Sequence, residues 1–140
     1  MNDLAHAKEW IKFAERDYDV ALFLNENYRP LPIENICYGC QQSVEKSLKA
    51  VLAYYKADIP KTHDIIMLKE QCRKYTDDIN IDNKIAGTIT RLAVKSRYPD
   101  DIYEFTDEHV KLGLKYAKQI LDQAKQTLGI SQETSETQER

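Results

Sequence analysis

Apolar residues in this chain return every three or four positions and never alternate for long. Leu4, Ala7, Ile11, Ala14, Tyr18 and Ala21 form one such series. Ile33, Cys37, Cys40, Val44, Leu48, Val51 and Tyr55 form a second, and Val110, Leu114, Ala117, Leu121, Ala124 and Leu128 a third. This spacing puts a stripe on one side of an α-helix. A strand would need period two, and no stretch holds it. Glycine and proline are scarce, four of each, and are expected at the breaks between helices.

The periodicity predicts five helices. The first runs from about Asp3 to Asn25, capped by Asn2 or Asp3. "NENYRPLP" then breaks the chain, with Pro30 and Pro32 as the stops. The second runs from about Pro32 to Lys56, proline being tolerated in a first turn. "ADIPKTH" is the next loop, and a short third helix follows over about Asp64 to Tyr75, capped by Thr62 or Asp64. The fourth covers about Asp82 to Ser96, with Ile81, Ile85, Ile89 and Leu92 inward, and Pro99 ends it because Tyr98 is pushed out of the helical region. The fifth starts at an N-cap, Thr106, has Asp107 and Glu108 in its first turn, and closes at Gly129. Four long helices and a short one with brief connections imply an all-α, antiparallel up-and-down bundle. One domain is expected over residues 1–129, with 130–140 a disordered, wholly polar tail after Ile130.

Several classes of function are disfavoured at once. A net charge of −3 argues against bulk non-specific binding to nucleic acid, which needs a net basic face. No apolar run reaches membrane-spanning length, and the first residues lack the layout of a secretory signal, so the cytoplasm is the expected location. Cys37, Cys40 and Cys72 are odd in number and read as free thiols. Cys37-Tyr-Gly-Cys40 could in other settings bind zinc or do redox chemistry, but no second ligand pair and no βαβ pattern accompany it. On the core stripe both cysteines read as small buried hydrophobes. The Glu-x-x-His pairs of a carboxylate-bridged metal site are missing, so neither metal nor cofactor is expected.

Three polar groupings remain as candidates. Gln42, Glu45, Lys46, Lys49 and Lys56 share one arc of the second helix, read as a solvated face with Glu–Lys pairing or as a contact for phosphate or a partner. His6 and His109 fall in first turns and read as solvated. His63, in "PKTHDI", sits at a loop–helix junction beside Lys61 and Asp64 and reads as a local cap or a site residue. The third grouping is "AVKSRYPDDIYEF", residues 93–105. Arg97 can anchor a phosphate or cap the fourth helix, Tyr98 or Tyr103 can stack on a base, and Asp100 and Asp101 can bind a cation or turn the chain. Trp10, Phe13 and Phe23 lie off the main stripe of the first helix and suggest a subunit contact.

Taken together, "AKEWIKFAERDYDVALFL" at 7–24, "CYGCQQSVEKSLKAVLAYY" at 37–55, "PKTHDIIML" at 60–68 and "SRYPDD" at 96–101 resemble a HEPN domain. The resemblance covers about residues 4–128. It implies an all-α bundle that commonly dimerises. Small prokaryotic proteins of this kind are often encoded beside a minimal nucleotidyltransferase, form a complex with it, and in many cases act as a toxin–antitoxin pair. The resemblance makes Arg97, Tyr98, Asp100, Asp101 and Tyr103, with Lys46, Lys49 and His63, the residues expected to bind nucleotide or partner. Tyr103 is the candidate for nucleotide addition by that partner. Some HEPN proteins are metal-independent ribonucleases with an Arg-x4–6-His motif. Counting from Arg97, that histidine is replaced by Ile102, Tyr103 and Glu104. A tyrosine titrates near ~10, far from working pH. His63 would have to supply the imidazole across a dimer.

Overall fold

A computed structural model describes residues 1–93 and 105–130. All regular structure among them is helical: α1 (Leu4–Asn27), α2 (Ile33–Tyr54), α3 (Ile65–Cys72), α4 (Asn83–Arg91) and α5 (Asp107–Leu128). The end of the expected fourth helix and its stop at Pro99 lie outside the described residues, as does 131–140 of the expected tail.

Four of the five described helices start where a side chain meets orphan amides, and α2 starts at Pro32 without one. Asp3 accepts from the amide of His6 at 3.0 Å, Asp64 from Ile66 at 3.0 Å, and Asp82 from Ile85 at 2.8 Å. At α5 the Thr106 amide donates to Nδ1 of His109 at 3.0 Å. His109 is therefore a half-buried capping residue against Phe105, not a solvated one. Gly129 closes α5 in the left-handed region at φ 72°, as expected. Lys56 does the same for α2 at φ 58°, so that helix stops at Tyr54 rather than running to Lys56. The Ala57 amide reaches back to the Leu52 carbonyl at 3.0 Å and the Lys56 amide to Ala53 at 3.1 Å, which satisfies the last carbonyls.

α3, like α2, is shorter than the periodicity suggested. α3 ends at Cys72, whose carbonyl takes the amides of Tyr75 and Thr76, and Tyr75 leaves the helix to stack on Tyr55 at 5.1 Å. In α4, which runs to Arg91, the amides of Leu92 and Ala93 bond three residues back, which tightens its last described turn.

α2 is the centre of the molecule. Ile36, Cys37, Cys40, Val44, Leu48, Val51 and Leu52 are all fully buried, so its apolar face is wider than one stripe. α1 lies antiparallel to it: Asp3 bonds the Tyr54 carbonyl at 2.9 Å, and Ser43 Oγ donates to the Ala14 carbonyl at 2.8 Å. Ala7, Ala14 and Ala21 line that seam, each at most 1 % exposed. Gly39 completes it, since a Cβ there would come within 3.3 Å of Ala21 Cβ. Where α5 crosses α2, a Cβ on Gly113 would meet Cys40 Sγ at 3.2 Å. Gly39, Gly87 and Gly113 thus sit inside helices, not at breaks. Two of them are where backbones come close. α3 and α4 run antiparallel as a cover, tied by Ile65 to Thr90 and Lys69 to Asn83.

The three cysteines are buried and unpaired. Burial pushes each thiol up to about 12, so all three stay protonated and pack as small hydrophobes. Leu4, expected in the core, is 37 % exposed. Among the described residues, no helix is long and apolar enough to cross a membrane.

Candidate functional site

Gln41, Glu45 and Lys49 follow one another at intervals of four on α2, so their side chains stack on one face. Sequence reasoning placed Glu45 and Lys49 on a solvated arc. Both are in fact buried, at 4 % and 7 % exposure. The 57–64 segment brings His63 onto one side of them, and Trp10 of α1 lies on the other, its ring 5.8 Å from Lys49 Nζ.

Glu45 is the hub. Its Oε1 accepts from Gln41 Nε2 at 3.1 Å and faces His63 Nδ1 at 2.8 Å, while Oε2 accepts from Lys49 Nζ at 2.9 Å. Gln41 is held in turn, since its Oε1 accepts from Gln42 Nε2 at 2.7 Å and its Nε2 also reaches the His63 carbonyl at 3.4 Å. Burial pushes the Glu45 carboxyl up, but hydrogen bonds from Lys49, His63 and Gln41 outweigh it and hold the group below its ordinary 4.5. The site therefore contains a buried carboxylate that is ionised at neutral pH.

That carboxylate fixes the chemistry of His63. Nδ1 must carry a proton to face it, so in the neutral ring Nε2 is an acceptor. The His63 side chain is 74 % exposed, and Nε2 has no partner among the described residues. A carboxylate-oriented imidazole with an open Nε2 can take up a proton there and can donate one once protonated.

Lys46 lies one step around α2, paired with Asp17 at 2.6 Å and 6.0 Å from the Phe13 ring. Beyond it, His6, Glu9, Trp10, Lys12 and Phe13 line a cleft of about 540 Å³ along α1. Phe13 and Phe23 are 47 % and 61 % exposed, while Trp10 is half-buried against the core. The structure thus brings Lys46, Lys49 and His63 onto one side of α2. Arg97, Tyr98, Asp100, Asp101 and Tyr103 lie outside the described residues. Gln41 and Trp10 were missed as site residues. The spacing of Gln41, Glu45 and Lys49 was the available signal.

Residues 7–127 match the family model of the HEPN domain. No curated protein matches the chain. Among solved structures, a protein from Thermus thermophilus shares the fold with a TM-score of 0.67 at 19 % identity, covering 87 % of this chain and 98 % of its own. An archaeal HEPN homologue aligns with a TM-score of 0.66 at 25 % identity, over 88 % of this chain and 98 % of its own. With the family model spanning nearly the whole bundle, the chain belongs to the HEPN domain family.

Proposed function

We propose that this chain is a HEPN-type nucleotide- and partner-binding module that dimerises and pairs, in the cytoplasm, with a minimal nucleotidyltransferase, as one half of a toxin–antitoxin system. The observation that carries the reading is the outer face of α1. Phe13, Val20 and Phe23 stand exposed in a row beside the cleft at Trp10 and the Lys46–Asp17 pair. Large exposed apolar residues in one line favour a protein contact. The 93–105 segment, with Arg97 and Tyr103, is the further contribution to the nucleotide or partner contact. Native purification with mass spectrometry should recover a small nucleotidyltransferase in stoichiometric amount. Sedimentation of the purified chain should give a dimer that Phe13→Asp with Phe23→Asp converts to monomer. A wild-type monomer that copurifies with nothing would sink the reading.

A second reading, a metal-independent ribonuclease, is favoured by one specific observation. The Glu45–His63 pair holds an oriented imidazole in a chain whose Arg-x4–6-His histidine is replaced in sequence. If it acts, purified protein will cleave RNA in chelator, and His63→Asn will lower the rate by about 10²–10⁴, the usual contribution of a general acid–base group. Cleavage unchanged in His63→Asn would assign the activity elsewhere.

A further inference from the structure

We propose a second site, an oxyanion-binding cleft between α3, the 79–82 segment and α5, which takes a phosphate or pyrophosphate group. It shares no residue with the Glu45–His63 face, and its case stands apart from the function proposed above. The cleft has a volume of about 510 Å³ and is lined by Lys69, Arg73, Asn80, Asp82, Tyr116 and Gln119 among others. That is within the usual size of small-ligand sites.

Lys69 is the reason to expect an anion. It is only 8 % exposed, yet it forms no ion pair among the described residues. Its ammonium donates to the Ile81 carbonyl at 3.2 Å and to Asn83 Oδ1. Both acceptors are neutral, and an ammonium has three N–H groups, so one donor is left over and no anion meets the charge among the described residues. A buried cation without a counter-ion is costly, and an anion in the cleft would offset that cost.

The surroundings suit such a ligand. Arg73 stands exposed in the lining and offers a planar fork for phosphate oxygens. Lys115 lies 5.3 Å from the Tyr116 ring and adds charge nearby. Asp82 opposes, but its carboxylate is engaged as the α4 cap. Two cations of the lining against this one carboxylate leave the cleft positive on a chain of net charge −3. The wall is already built: Gln119 Nε2 donates to the Asn80 carbonyl at 2.9 Å, and Gln123 accepts from the Asn80 amide at 2.9 Å.

The test is calorimetric titration of the whole chain with pyrophosphate, with amide NMR shifts to locate the contact. Binding is expected, with shifts at Lys69, Arg73 and Asn80. Arg73→Ala and Lys69→Met should each weaken it by about tenfold, the loss of one charge-assisted hydrogen bond. ATP binding no tighter than pyrophosphate would mark a free oxyanion as the ligand, and tighter ATP binding a nucleotide. Should Lys69→Met fail to fold, Arg73→Ala with the shift map decides, because Arg73 is at the surface. Silence at about 10 mM pyrophosphate, a millimolar limit that spans weak physiological binding, overturns the proposal. So does an affinity that Arg73→Ala leaves unchanged.

Discussion

Replacing Glu45 with alanine will lower the unfolding free energy by about 3–5 kcal/mol, the usual cost of stranding one member of a buried ion pair. Lys49 would keep its charge in a buried site beside Trp10, and Gln41 and His63 would each lose an acceptor. Urea unfolding of the single variant measures the loss. The double variant Glu45→Leu with Lys49→Met should recover most of it, because paired apolar replacements leave no charge behind. A single-variant loss below about 1 kcal/mol, the range of exposed pairs, would mean that water reaches Lys49. Acid gives a second readout of the same group. The Glu45 carboxyl sits below its ordinary 4.5 in the folded chain, so it binds a proton more readily when unfolded. Its contribution is present above 4.5 and is lost as pH falls from there through the lower folded value. Glu45→Gln should lack that part of the acid-induced loss.

Truncation of Leu48 to alanine is expected to cost about 2–5 kcal/mol, the range for a buried leucine that leaves a cavity. Leu48 is fully buried on the central helix, and its carbonyl also receives the Cys72 thiol at 3.3 Å. The same change at Leu4 should cost no more than about 0.5 kcal/mol, as for most surface positions. Both belong to periodic apolar series, and only one is in the core. Thermal or urea unfolding of the two variants side by side measures the difference, and equal losses would contradict the burial described above.

That contrast marks how far the residue pattern carries. The helices and their starts were legible because caps such as Asp3, Asp64 and Thr106 act within one turn of chain. The burial of Cys37 and Cys40 was legible from their place on the stripe. Helix ends were less so: Lys56 adopts a left-handed turn that glycine would have signalled, and Tyr75 leaves α3 for the ring of Tyr55, on the preceding helix's end. The environment of Glu45 and Lys49 was not legible: both are buried, not solvated. Polar side chains on α2 look solvated until a distant segment, 57–64, folds over them, and nothing in local spacing records that cover. Gly39 and Gly113 were misplaced for the same reason, since a close approach of two helices is a property of the pair.

The alanine series at 7, 14 and 21 separates two kinds of information on one helix. Positions that set how near α1 lies to α2 tolerate no added bulk. Phe13, Val20 and Phe23, interleaved with them, touch solvent and constrain the fold little. A descendant of this chain could therefore acquire a new surface by rewriting the outer letters of α1, while the inner letters kept the molecule's shape unchanged.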